Sequence, residues 1–126
     1  MQISANSNIR QAIKILNKYG TKTIIVINNN KKLVGTLSDG DIRKSIIKGS
    51  NLKSSINNIY NKKPIFLFEN QIDKKKIRKI FLKKKISLIP IVNKKKILTK
   101  IFHLEDVLDL YNSDDEIEKN SKKLGI

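Results

Sequence analysis

The stretch that decides the fold is Leu33-Val34-Gly35-Thr36-Leu37-Ser38-Asp39-Gly40-Asp41-Ile42-Arg43. Its first half has the apolar residues of a short strand, and Ser38 is a residue type that caps the N-terminus of a helix. Asp41, three positions later, completes a Ser-x-x-acid capping box. The free amides of such a helix start can bind a phosphate between Ser38 and Gly40, and the Asp41 carboxylate suits a sugar diol. Gly35 allows a backbone or a ligand to approach the strand closely.

A second copy of this stretch lies 65 residues later and reads Leu98-Thr99-Lys100-Ile101-Phe102-His103-Leu104-Glu105-Asp106-Val107-Leu108. The same spacing relates Ile24 to Ile89, Asn28 to Asn93, Leu33 to Leu98 and Asp41 to Asp106. Chance rarely keeps so many matches in one register. We therefore interpret the chain as an internal duplication.

The first copy reads as a β-α-β-β-α unit. Ile3 closes a short first strand, and a helix follows that Asn8 and Gln11 can cap as a box and Gly20 can end. The unbroken run Ile24-Ile25-Val26-Ile27 predicts a strand that is buried on both faces. Residues 28–30 then make the turn to the focal strand.

The second helix of this unit is expected to begin at Asp39 and to end near Gly49. Three isoleucines at roughly helical spacing are predicted to face inward from it: Ile42, Ile46 and Ile47.

A polar linker, residues 50–63, separates the two copies, and Pro64 restarts the pattern. The second copy predicts a strand over 65–68, a lysine-rich helix, a strand over 86–92, a return strand over 96–102 and a closing helix from 104 to about 110. Because Pro90 cannot donate a hydrogen bond to a sheet, we expect it at an edge or at a strand start. The predicted boundaries are 1–60 for the first repeat with its linker, 61–111 for the second repeat and 112–126 for a polar tail.

The composition sets limits on function. The chain has 126 residues, a net charge of +16 and no cysteine, which excludes a disulfide framework and a thiolate metal site. A basic nucleic-acid-binding protein stays an alternative. Lysine, however, supplies 24 of the 27 basic residues, which favours compositional bias over a selected site. No apolar run is long enough to span a membrane and no signal peptide is recognisable, so we expect a cytoplasmic protein.

No catalytic constellation is recognisable. His103 is the lone histidine, and no second histidine or paired carboxylate is placed to complete a metal site or an acid–base pair. Glu105 and Asp106 are neighbours on a helix and point in different directions. The sequence predicts neither an enzyme nor a metal protein.

The chain has two β-α-β-β-α units, and the first contains the motif Gly-x-x-Ser-x-x-Asp. This arrangement resembles a tandem pair of CBS domains, also called a Bateman module. The resemblance covers roughly residues 1–111. Within that family, residues 35–43 are most similar to CBS pairs joined to sugar-phosphate nucleotidyltransferases and to arabinose-5-phosphate isomerases. The resemblance implies an α+β fold of two repeats packed as a pseudo-two-fold pair. Two such pairs commonly form a flat homodimer.

The resemblance implies a regulatory module that requires no cofactor, binds AMP, ADP or ATP and controls a fused or partner enzyme. Ser38 would contact the phosphate and Asp41 the ribose. The other implied site residues flank the base or complete the cleft: Ile3, Thr23, Ile24, Gly35 and Asp39. In the second copy Lys100 and His103 depart from the pattern and only Asp106 is kept, so we expect a degenerate second site, where Lys100 and His103 could together recognise a polyphosphate. A ligand-free dimerisation or interaction module is the main alternative.

Overall fold

The computed structural model describes residues 1–107, in which the predicted unit appears twice. The first repeat contains β1 (Gln2–Ser4), α1 (Ile9–Tyr19), β2 (Thr23–Ile27), β3 (Leu33–Ser38) and α2 (Asp39–Ile47). The second contains β4 (Leu67–Phe68), a short 3₁₀ turn (Glu69–Gln71), α3 (Lys74–Lys83), β5 (Leu88–Val92) and β6 (Leu98–His103). Residues 104–107 are helical. The predicted end of that helix and the predicted tail, 112–126, lie outside the described residues.

Each repeat builds one three-stranded sheet, with strand order β1-β2-β3 in the first and β4-β5-β6 in the second. In both sheets the middle strand runs parallel to the first strand and antiparallel to the third. The predicted α+β class with two β-α-β-β units is therefore confirmed.

The register of the two sheets repeats at the spacing found in the sequence. Thr23 pairs with Ser38, and Leu88 pairs with His103. Both antiparallel ladders have an irregularity four residues along, between Val26 and Ile27 and between Ile91 and Val92. Both turns end in a left-handed lysine, at φ 61° and 64°.

The caps explain where the helices begin and end. Asn8 and Gln11 form the expected capping box on α1, and Gly20 ends that helix at φ 61°. Asp73 caps α3, with its carboxylate accepting from the Lys75 amide at 3.0 Å. Side-chain caps of this kind stabilise a helix by about 1 kcal/mol each.

A shared core joins the repeats. Each repeat has its own apolar cluster, and a third cluster takes buried residues from both: Ile25, Leu33, Leu88 and Val92. The two hairpin turns also touch, because the Leu33 amide donates to the Lys96 carbonyl at 2.9 Å. The two sheets therefore form one packed pair.

Two predictions about the elements were wrong. Ile46 and Ile47 are 43% and 80% exposed, whereas Ile42 is buried, because a nine-residue helix can turn only one stripe toward its sheet. Pro90 lies in the middle of β5, the central strand, where it pairs with Ile101. The sheet accommodates Pro90 because β4 starts only opposite Ile91, so β4 does not need a hydrogen bond from the position of Pro90. In the first repeat, by contrast, the Ile25 amide at the equivalent position donates to Met1.

Candidate functional site

A cleft of about 860 Å³ lies between the repeats, and we call it the first cleft. On the side of the first repeat it is lined by Lys22, Thr23, Thr36, Ser38, Asp39 and Asp41, together with Asn61 of the linker. On the side of the second repeat it is lined by Ile65, Phe81, Lys85, Ile86, Ser87, Leu88 and Leu104. One wall is therefore polar, and much of the other is apolar.

The N-terminus of α2 opens into the first cleft. The Ser38 hydroxyl accepts from the Asp41 amide at 3.0 Å, and the Asp41 Oδ2 accepts from the Ser38 amide at 3.0 Å, which is the predicted capping box. The Asp39 amide donates to the Lys22 carbonyl at 2.9 Å. The fold thus already uses most of the amides that the sequence suggested were free. In this turn, the Gly40 amide has no hydrogen-bond acceptor among the described residues.

The charges of the first cleft come from both repeats. Asp39 and Asp41 place two carboxylates at the helix start, Lys22 stands just before β2, and Lys85 approaches from the loop that follows α3. Within residues 1–107 neither lysine forms an ion pair, and both side chains are exposed. An anionic group in the cleft would meet two cations on opposite walls.

The structure brings four of the seven predicted residues together in the first cleft: Thr23, Ser38, Asp39 and Asp41. Ile3 and Ile24 do not line it. They are 5% and 0% exposed and pack in the apolar cluster of the first repeat.

Gly35 faces the protein's own linker and not the first cleft. A Cβ on Gly35 would overlap the Asn61 carbonyl oxygen and the Tyr60 ring. Asn61 also pairs with the edge of β3, since its amide donates to the Thr36 carbonyl at 2.8 Å and its carbonyl accepts from the Thr36 amide at 3.1 Å. The close approach predicted at Gly35 is therefore made by backbone.

A second cleft of about 500 Å³ carries the equivalent junction of the second repeat, with His103, Glu105 and Asp106. Lys100 does not line it. Alternating residues of a strand face opposite sides, so Lys100 shares a face with Phe102, whose ring centroid is 4.6 Å from the Lys100 ammonium, and His103 points the other way. The structure does not bring Lys100 and His103 together.

The second cleft shares a wall with the first. Lys22, Ser87 and Leu104 line both clefts, and the Leu104 amide donates to the Ser87 carbonyl just as Asp39 does to Lys22. The Ser87 hydroxyl is buried and has no hydrogen-bond partner within the described part of the chain. Met1 also lines this cleft, and partial burial, together with the charge of Lys18, lowers the pKa of its amino group.

Sequence reasoning missed the residues that the second repeat contributes to the first cleft, such as Lys85 and Ser87. One signal was present: Ser87 lies 65 positions after Lys22, at the equivalent place before the buried strand. What the spacing does not reveal is which repeat's residues face which cleft.

Among residues 1–107, no three His, Cys, Asp or Glu side chains are grouped so that they could hold a metal ion. None of the helices described over the same range has the length and apolar character needed to cross a membrane.

Comparison with known proteins agrees with this architecture. Residues 1–48 match the family model of the CBS domain. An uncharacterised protein of Helicobacter pylori strain J99 is 30% identical over 110 residues, which are 86% of this chain and 33% of that protein. The chain therefore spans about a third of the length of this relative.

Two solved structures are also similar to this chain. A CBS domain pair/ACT domain protein of Thermotoga maritima matches with a TM-score of 0.77 at 18% identity, over 90% of this chain and 88% of that one. CBSX2 in complex with AMP matches with a TM-score of 0.76 at 18% identity, over 91% of this chain and 89% of that one. The chain has the fold of a CBS domain pair, as its sequence resemblance implied.

Proposed function

We propose, from the fold of a CBS domain pair, that this chain is a non-enzymatic regulatory module that binds an adenine nucleotide in the first cleft. The observation that carries the proposal is the Ser38–Asp41 junction, which opens into a cleft lined by both repeats and by two lysines that form no ion pair within residues 1–107. The similarity to CBSX2, which was solved in complex with AMP, supports an adenine nucleotide as the ligand. AMP, ADP and ATP are the candidates.

Different residues of the first cleft contact different parts of the ligand. Asp41 uses Oδ2 for the capping box, which leaves Oδ1 to accept hydrogen bonds from the ribose hydroxyls. The lysine ammonium groups face the phosphate, and the apolar wall around Ile86 and Leu88 receives the base. Thr23, at the start of β2, also lines this cleft.

Regulation follows from the position of the cleft. A ligand that contacts both repeats stabilises the arrangement of the repeats in which both sets of contacts are made. A partner that prefers the same arrangement is then bound more tightly, and the coupling is reciprocal. We propose a cytoplasmic enzyme, fused or separate, as this partner. The sequence of residues 35–43 favours a sugar-phosphate nucleotidyltransferase as this enzyme.

Calorimetric titration of the full chain with AMP, ADP and ATP tests the proposal. We expect saturable binding of one nucleotide per chain, and Asp41→Ala should weaken it at least about tenfold, because charge-assisted hydrogen bonds to the ribose are lost.

Since Asp41→Ala also opens the α2 capping box, the matched control is Gln11→Ala, which opens the box of α1 outside the cleft. Gln11→Ala should leave the affinity unchanged. If the wild type releases no heat with any of the three nucleotides, the proposal is wrong.

A ligand-free interaction module is the second candidate, favoured by an apolar groove between α1 and α2. Ile13, Ile46 and Ile47 are exposed there beside the more buried Leu16 and Ile42. An apolar surface of this kind is typical of an association site. We propose a second copy of the chain as its occupant, in agreement with the homodimer that the resemblance implies.

Nucleic-acid binding is the weaker alternative. α3 and the loop after it carry eight basic residues between positions 74 and 85, and the one aromatic residue among them, Phe81, is buried in the core. Single-stranded nucleic acid is usually bound where cations and stacking aromatic rings occur together. Binding of this kind would weaken steeply with salt and would be unaffected by Asp41→Ala.

A further inference from the structure

The two clefts are related by the internal repeat, which allows them to be compared position by position. Ser38 and Asp41 of the first cleft correspond to His103 and Asp106 of the second, and Lys22 corresponds to Ser87, which lines both clefts. Lys85 of the first cleft corresponds to Gly20 of the second. The first cleft thus has a cation at a position where the second has no side chain.

The cause of this difference lies in how the preceding helices end. α1 ends on Gly20 in the left-handed conformation, at φ 61°, which disfavours any residue with a Cβ. α3 ends with Lys84 in an extended conformation, at φ −108° and ψ 120°. The following residue is therefore free to carry a long side chain into the first cleft.

A phosphate bound in the first cleft would need compensating cations. Asp39 and Asp41 lie at the helix start where a phosphate would bind, and they repel it. Lys22, on the same wall, supplies one compensating charge. Lys85 supplies the second from the opposite wall, and no described group forms an ion pair with it.

We propose that Lys85, which the second repeat contributes to the site of the first, selects phosphorylated ligands over the unphosphorylated nucleoside. This inference rests on the proposed function. In the bound state the phosphate lies between Lys85 and Lys22, so the phosphate links the two repeats while Asp41 holds the ribose. The second cleft has Gly20 and His103 at the equivalent positions and therefore lacks the contact that Lys85 makes.

The test compares AMP with adenosine, which differ only in the phosphate. The full-length wild type, Lys85→Gln and Lys79→Gln are titrated with both ligands at one ionic strength. Lys79→Gln is the control, because it makes the same change in net charge as Lys85→Gln. Lys79 is an exposed lysine of α3 that does not line the cleft. Lys85→Arg tests whether a retained charge restores the selectivity.

The measured quantity is the ratio of AMP affinity to adenosine affinity. We expect Lys85→Gln to lower this ratio roughly tenfold or more, since a charge-assisted contact to the phosphate is lost. Lys79→Gln should change it less than about twofold, because exposed charges at a distance are screened. Lys85→Arg should keep most of the wild-type ratio.

The possible failures are distinguishable. If the wild type binds both ligands but Lys85→Gln leaves the ratio unchanged, or Lys79→Gln lowers it equally, the role of Lys85 is wrong while the nucleotide site stands. If the wild type binds neither AMP nor adenosine, both the proposed function and this inference are wrong.

Discussion

Gly35 is a position at which the surrounding structure leaves no room for a side chain. The Tyr60 ring and the Asn61 backbone fill the space in which a Cβ would lie, and Asn61 also lines the first cleft. Gly35→Ala should therefore lower the free energy of unfolding by about 1–3 kcal/mol, the usual cost of overpacking. Urea denaturation followed by circular dichroism measures this change.

Gly40→Ala is the matched control for this prediction. A Cβ at Gly40 would meet its nearest atom, the Ser38 hydroxyl, at an ordinary 3.6 Å. Alanine also favours the helix, so stability should stay the same or rise by up to about 1 kcal/mol. Equal losses in the two variants would contradict the packing role of Gly35.

The same residue shows how far a single position can be predicted from sequence. A glycine after a strand signal indicates a close approach, but only the path of residues 50–63 decides that a backbone and not a ligand makes it. Likewise, the run around Ile24 predicts burial, which the structure confirms, yet burial in the core removes Ile24 from the cleft. The capping box of Ser38 and Asp41 was predictable because its chemistry is local, and the structure places both residues in the first cleft.

At the scale of the element, the two strand-to-helix junctions differ in their caps. Ser38 caps α2 through the Asp41 amide, whereas His103 occupies the equivalent position before the helical residues 104–107. Asp106 stands three positions later, where it can act as the acidic partner of a box. His103→Ser should therefore complete a capping box and raise the free energy of unfolding by about 1 kcal/mol.

Urea denaturation of His103→Ser and His103→Ala measures this effect. Alanine removes the imidazole without supplying a cap, so this variant should gain no stability. A gain of the same size in both variants would mean that the loss of histidine is responsible and not the new cap.

Elements were predicted well where a pattern is short-range and less well where it depends on neighbours. The caps at Asn8 and Gly20 need only a few residues, and the structure confirms both. Ile46 and Ile47 looked like core because their spacing is helical, but the sheet covers only the stripe of α2 that carries Ile42. Pro90 fits a central strand because its neighbour β4 is only two residues long, which no local rule predicts.

At the scale of the whole molecule, the exposed isoleucines of α2 lead to a prediction about assembly. If the groove between α1 and α2 joins two copies of the chain, Ile47→Asp should convert the dimer to a monomer, because an unpaired carboxylate would be buried at the interface. Light scattering coupled to size-exclusion chromatography measures the mass in solution.

Leu82→Asp is the control for the dimer prediction. Leu82 is 78% exposed on α3, close to the 80% of Ile47, but it lies outside the groove. This variant should stay a dimer. A wild-type chain that elutes with the mass of one copy, or a Leu82→Asp variant that dissociates like Ile47→Asp, would contradict the proposed interface.

The core that the two repeats share has a consequence for ancestry. A single ancestral copy would have exposed the apolar face now formed by Ile25 and Leu33, so it would have had to pair with an identical chain. While both halves were encoded once, every change altered both clefts together. Fusion of two copies would have ended that constraint and left the two halves free to differ, as Ser38 and His103 now do at equivalent positions of two unequal clefts.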